Sequence, residues 1–197
     1  SYMRGIPNMT VSAPMNEEEL RNLMYTAQLP DKGPFSIRYP RGRGVMPVWE
    51  TPLKELAVGR ARSIRKGSDI AILSIGHVGN RVIEASKSLE KNHIDVAHYD
   101  MRFVKPIDEK VLHEVGKNFK AVLTVEDGTI VGGFGSAVLE FMSDHGYSVQ
   151  LKRLGVPDQF IEHGTPEELQ RECGFDVEGI VKAVKSIIKP NILSNVG

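Results

Sequence analysis

The sequence predicts an α/β fold: a mostly parallel sheet with helices on both faces. Three observations predict it. Asp69–Ser74 and Ala121–Val125 are continuous apolar runs of strand length, the pattern of strands buried on both faces. Other segments repeat apolar residues at three- and four-residue steps, as amphipathic helices do. The two patterns alternate along the chain, which favours crossover helices and parallel pairing.

In chain order, strand Met9–Ser12 is followed by helix Asn16–Ala27. Asn16 is its N-cap, and Glu17, Glu18 and Glu19 occupy the first turn, where the helix dipole favours anions. Leu20, Leu23, Met24 and Ala27 form its apolar face. Strand Phe35–Tyr39 comes next. A strand–helix–strand unit this short cannot cover both of its own faces, so it is expected to be the last part of a larger α/β domain. The Pro- and Gly-rich stretch Pro40–Pro52 reads as a linker.

Beyond the linker, Val58–Ile64 alternates as an edge strand would. Strand Asp69–Ser74, helix Asn80–Lys91, strand Ile94–Tyr99, helix Asp108–Gly116, strand Ala121–Val125, helix Phe134–His145 and strand Val149–Leu154 follow. Helices Pro166–Glu172 and Val177–Ile188 close the domain, and a loose tail is expected after Lys189.

Composition narrows the function classes. The 197 residues carry 25 basic and 25 acidic side chains, and this balance speaks against a dedicated nucleic-acid binder. No apolar run approaches the roughly 20 residues of a membrane helix. The single cysteine, Cys173, excludes an internal disulfide and a cysteine-based zinc site. The six histidines show no metal-binding spacing.

Four stretches could carry chemistry. Arg38-Tyr39-Pro40-Arg41-Gly42-Arg43 places three guanidinium groups after an apolar strand, at the end where open α/β sheets bind ligands. It reads as a phosphate clamp or as a solvated basic loop. Val125-Glu126-Asp127 leads into a glycine-rich turn, Gly132-Gly133, and a helix start. That arrangement could hold an anion on helix amides, or the glycines could serve close packing. Glu126 and Asp127 could be an acid–base pair or loop caps. His77 after Gly76, and His163 in a later loop, could each reach a ligand but read more simply as surface or capping residues.

Taken in order, several runs are familiar: Arg38-Tyr39-Pro40-Arg41-Gly42, Tyr99-Asp100-Met101-Arg102-Phe103-Val104-Lys105-Pro106-Ile107-Asp108, Val125-Glu126-Asp127 with Gly132–Ser136, and Gly155-Val156-Pro157-Asp158-Gln159-Phe160-Ile161 with Gly164-Thr165. Together they make the chain resemble the C-terminal third of the 1-deoxy-D-xylulose-5-phosphate synthase family, a branch of the thiamine-diphosphate transketolases. The Met101–Asp108 stretch separates that branch from ordinary transketolases.

The resemblance implies a transketolase C-terminal domain over residues 47–189, with one antiparallel sheet edge. Residues 1–46 would end a pyrimidine-binding domain, and 190–197 would be a flexible tail. It further implies a thiamine diphosphate- and Mg2+-dependent transferase that joins a two-carbon unit from pyruvate to glyceraldehyde 3-phosphate. Such an enzyme would be a homodimer, cytoplasmic or plastidic, without nucleic acid or membrane partners. The family's diphosphate and magnesium motif and its activating glutamate lie upstream of the matched stretch, so this segment is expected to hold no catalytic residue, to bind no cofactor alone and to be inactive alone. Arg41 is the implied substrate-phosphate contact and Arg38 an auxiliary one. The competing readings are a C-terminal subunit of a split transketolase or 2-oxo-acid dehydrogenase, and a non-catalytic dimerisation or binding module.

Overall fold

A computed structural model describes residues 2–42, 44–46 and 49–192. Arg43 and the last five residues of the expected tail lie outside the described residues. The elements run β1 (Thr10–Ser12), α1 (Glu17–Ala27), β2 (Phe35–Ile37), β3 (Arg62–Arg65), β4 (Ile70–Ile75), α2 (Gly79–Glu90), β5 (Val96–Asp100), β6 (Phe103–Lys105), α3 (Glu109–Asn118), β7 (Ala121–Thr129), α4 (Phe134–Asp144), β8 (Gln150–Val156), α5 (Pro166–Glu172) and α6 (Val177–Ile192). A five-stranded sheet has the order β3-β5-β4-β7-β8, parallel except for the antiparallel edge strand β3. A second sheet, β2-β1-β6, pairs β1 parallel to β2 and antiparallel to β6.

The central strand β4 is buried along its whole length, which explains why its sequence does not alternate. Its odd and even residues feed two cores. Ala71, Leu73 and Ile75 pack under α3 and α4 with Leu112, Val115, Phe134 and Val138. Ile70 and Ile72 pack under α2 and α6 with Val82, Leu89, Ile180 and Val184. Side-chain caps fix where helices start: Asn16 Oδ1 accepts the Glu19 N–H at 3.0 Å, Asp108 accepts from Val111, and Thr165 and Glu168 form a reciprocal capping box on α5.

Besides a longer β7 and an α6 that runs to Ile192, into the expected tail, three features differ from the sequence reading. First, α1 does not bury its apolar stripe: Leu23 is fully buried, but Met24 is exposed, and the inward face is Glu19, Asn22, Leu23 and Thr26. Leu23 packs with Leu56 and Phe103, but the interior around them is polar. Asn22 Oδ1 and Thr26 Oγ1 accept the backbone N–H groups of Lys54 and Leu56 at 2.9 and 2.8 Å, so the expected linker is tied to α1. Second, the edge strand begins at Arg62, because Val58–Ala61 forms a turn with Gly59 at φ 74° and the Ala61 N–H donated to Asp108. Third, a short strand, β6, follows Arg102 within the Met101–Asp108 stretch.

That strand is the joint of the molecule. Arg102 turns the chain through a left-handed conformation, φ 56°, out of the five-stranded sheet and onto β1. Its carbonyl accepts the Ala13 N–H at 2.9 Å. Its guanidinium meets the Glu19 carboxylate with two prongs, at 2.6 and 2.8 Å. Arg62 bridges the same Glu19, at 3.2 Å, to Asp100, at 3.0 Å. Asp100 is fully buried, and burial pushes its carboxyl up to about 6 although Arg62 and Arg102 favour the ionised form. Beside this network Phe103 is fully buried and meets Phe35 edge to face, with ring centroids 6.3 Å apart.

Removing one partner of a buried ion pair leaves the others uncompensated, at a cost of roughly 3–5 kcal/mol. Glu19→Ala is therefore expected to lower the unfolding free energy measured by urea titration by that amount, with little change in the denaturant slope. An unfolding free energy within about 0.5 kcal/mol of wild type would mean that the junction is held by apolar contact alone.

A second buried polar group sets a pH dependence. His98 on β5 pairs its Nε2 with Ser74 Oγ at 2.8 Å, and burial pushes its imidazole down to about 3. Between its ordinary value of 6.5 and about 3, the unfolded chain binds a proton that the folded chain does not, so stability falls as pH falls. Asp100 acts in the opposite sense between about 6 and 3.8, where the folded form is the one that binds the proton. Of these two windows the His98 window is the wider. Replacing His98 with Gln is expected to flatten the loss of stability between pH 6.5 and about 3, measured by denaturation at a series of pH values. Parallel curves for the two proteins would contradict this.

Candidate functional site

The carboxyl ends of β2, β4 and β7 converge on a crevice between the two sheets, where such folds place ligands. A cavity of about 240 Å3 opens there, with Ile75 and Phe134 among its apolar lining and Arg4, Arg38 and Asp127 contributing charge. Arg38 leaves the end of β2 and reaches Asp127 on β7, with both terminal guanidinium nitrogens 3.4 Å from Asp127 Oδ2. His77, just beyond β4, puts its Nε2 3.6 Å from the same oxygen. Behind it stands Gln170 on α5. The amide oxygen of Gln170 accepts from Arg81 Nε at 3.1 Å, which turns its amide nitrogen to His77 Nε2 at 3.1 Å. Burial, reinforced by Arg38 and Arg81, holds the His77 imidazole below its usual range, while Asp127 pulls the other way.

The residues singled out in the sequence are thus partly brought together. Arg38 faces the crevice. Arg41, three residues on, is exposed and makes no hydrogen bond or ion pair with another described residue. His163 is exposed in the loop before α5. Cys173 is half-buried, and burial pushes its thiol up, away from nucleophilic reactivity.

The glycine-rich turn is not an anion site. Glu126 is buried, and its two carboxylate oxygens each accept a backbone N–H at 2.8 Å, from Phe134 and Gly135. The amides at the start of α4 are therefore already occupied from within the chain. Burial raises the Glu126 carboxyl and the two N–H groups oppose that rise. Its neighbour Asp127 does not share this environment, so the two adjacent carboxylates form no acid–base pair. Arg4 closes the turn from outside by donating to the Gly132 and Gly133 carbonyls, both at 3.2 Å, and by pairing with Glu140.

The sequence reading missed Asp127 as the partner of Arg38, and missed Glu19, Arg62 and Arg102 as a network. No local pattern could have paired residues 83 positions apart. The one available signal was an arginine, Arg102, set between an aspartate and an apolar strand within a specific motif.

Comparison with known proteins agrees with this architecture. Residues 59–180 match the model of the transketolase C-terminal domain, more than half of the chain. The chain belongs to the transketolase C-terminal domain family. It is 60% identical over 188 residues to the 1-deoxy-D-xylulose-5-phosphate synthase of Cytophaga hutchinsonii, and 56% identical over 185 residues to that of Bacteroides fragilis. These alignments take in 95% and 93% of this chain but only 30% and 28% of the relatives, so the chain spans less than a third of their length and corresponds to their C-terminal region. A solved chain described as a split-gene transketolase, an inactive β4 tetramer, superposes with a TM-score of 0.84 at 33% identity, covering 95% of this chain and 60% of the other. Both sheets of the present chain fall within residues 10–156, so the family match from 59 onward leaves β1, α1 and β2 outside it.

The close fit of the turn generates a prediction. A Cβ on Gly133 would stand 2.1 Å from the Thr129 carbonyl oxygen and 2.3 Å from the Glu126 carboxylate. Gly133→Val must displace backbone or the helix cap, which costs roughly 1–3 kcal/mol. Thermal unfolding is expected to show a correspondingly lower Tm, and an unchanged Tm would contradict the packing described here.

Proposed function

We propose that this chain is the C-terminal part of a thiamine-diphosphate-dependent synthase that joins a two-carbon unit from pyruvate to glyceraldehyde 3-phosphate, giving 1-deoxy-D-xylulose 5-phosphate. The observation that carries the reading is the 60% identity over nearly the whole chain to a protein of that name. The role of the Met101–Asp108 stretch supports it: the motif that distinguishes this branch is the segment that welds the two sheets. In this reading residues 1–46 end the pyrimidine-binding domain, residues 47–189 are the transketolase C-terminal domain, and the whole enzyme is a magnesium-requiring, cytoplasmic homodimer.

In the same reading this chain alone does not hold the cofactor. Among the described residues no group of three or more His, Cys, Asp or Glu side chains could hold a metal ion. The start of α4, the obvious place for a diphosphate, is capped by Glu126. The chain is accordingly expected to show no saturable micromolar binding of thiamine diphosphate in a calorimetric titration without a partner polypeptide. Saturable binding would overturn this.

What the chain contributes is the loop after β2. Arg41 is the proposed contact for the acceptor's phosphate and Arg38 its auxiliary. A charge-assisted bond to phosphate is worth roughly 1.5–3 kcal/mol. In the full-length enzyme Arg41→Ala should then lower kcat/KM for glyceraldehyde 3-phosphate by roughly ten- to a hundredfold, and Arg41→Lys should recover part of it. Unphosphorylated glyceraldehyde should be affected far less. Equal losses for both acceptors would assign Arg41 to structure instead.

The split-gene transketolase favours a second reading, in which this chain is a separate subunit that needs a partner chain. The reading frame upstream decides between them: a continuous frame with a thiamine-binding domain supports the first, and a separate gene the second.

A further inference from the structure

We propose that Asp127 is a placeholder for the acceptor's phosphate: it occupies the fork of Arg38 in the free protein, the phosphate displaces it, and His77 then takes up a proton to pair with the released carboxylate. Asp127 and His77 are positioning residues in this account. The inference rests on the reading of the Arg38–Arg41 loop as the phosphate-binding element.

The geometry is specific. Both terminal nitrogens of Arg38 straddle one oxygen, Asp127 Oδ2, at 3.4 Å each, as a guanidinium fork would straddle a phosphate oxygen. The contact is long and the side chains are 55% and 25% exposed, so the pair contributes little stability and is readily exchanged. It also bridges the two sheets across the mouth of the cavity, since Arg38 ends β2 and Asp127 lies on β7.

His77 completes the exchange. In the free protein its Nε2 accepts from the Gln170 amide, whose orientation Arg81 fixes from the other side, so the imidazole is held neutral. The charged groups facing it are Arg38 from the β2 end, Asp127 from β7, Arg81 from α2 and Glu167 from α5, and the charge of Asp127 also acts on the neutral Cys173 thiol. A bound phosphate cancels the positive field of Arg38 and leaves Asp127 without its cation. Both changes favour a proton on His77 Nε2, which then points to Asp127 Oδ2, 3.6 Å away, in place of the Gln170 amide. The proton comes from solvent, and no other bond is made or broken.

The experiment follows the His77 ring resonances by NMR in the 197-residue chain between about pH 5 and pH 8. It uses sulfate as a dianion of fixed charge, with chloride-matched ionic strength as control. Sulfate is expected to raise the His77 midpoint by roughly one pH unit. Asp127→Asn should bind sulfate several-fold more tightly, since its competitor is gone, and its His77 should no longer respond. Arg38→Ala should lose the sulfate response. A His77 midpoint unmoved by sulfate while the Arg38 side-chain resonance shifts would overturn the exchange and leave the phosphate reading standing. Weaker sulfate binding by Asp127→Asn would also overturn it, because Asp127 would then be orienting Arg38. Unchanged sulfate binding by Arg38→Ala would overturn this inference, and unchanged binding by Arg41→Ala as well would remove the phosphate reading with it.

Discussion

The two-pronged contact between Arg102 and Glu19 is the interaction on which the rest of the structure depends. One residue does three things. Its left-handed backbone turns the chain from the large sheet to the small one, its carbonyl extends β1, and its guanidinium closes on α1. Glu19 and Asp100 would be unstable where they are without cations, and Arg62 and Arg102 supply them. A buried network of this kind is weak as a source of net stability but strict about geometry. That strictness sets the spacing between the sheets, and the crevice with Arg38, His77 and Asp127 exists only at that spacing.

The same logic governs the rest of the polar interior. Glu126 caps α4, Asp108 caps α3 and anchors the turn before β3, and Asn22 and Thr26 hold the backbone at Lys54 and Leu56. Each is a buried or half-buried polar side chain satisfying backbone N–H groups that no sheet or helix ladder reaches. The described part of the segment from Pro40 to Ala61 has no regular structure, yet α1 fastens it by side-chain hydrogen bonds. That stretch is a strap along α1.

Much of the fold was legible in the sequence because burial writes itself into composition. The DIAILS run of β4 is apolar throughout because both its faces are covered, and α2, α4 and α5 start within a residue of their expected positions because glycines and caps mark their ends. Helix α1 was misread for the converse reason. Its inward neighbours are guanidinium groups and backbone amides, so Glu19, Asn22 and Thr26 turned inward and Met24 outward. Strand β6 is three residues long and pairs across more than 90 positions, beyond any local pattern. At the candidate site, Arg38 was legible as a basic residue at a strand end. Asp127 and His77 were legible one by one, but their pairing with Arg38 was not, because only the fold brings the ends of β2, β4 and β7 together.

The account's central claim is that the strand–helix–strand unit and the five-stranded sheet form one cooperative body through Arg102. Native-state hydrogen exchange on the Ala13 amide, which donates to the Arg102 carbonyl across the junction, tests this directly. The account predicts that Ala13 exchanges with the same free energy as the amides of β4, through global unfolding. Exchange of Ala13 at a much lower free energy, with β4 still fully protected, would show two units that dock and separate freely and would contradict it.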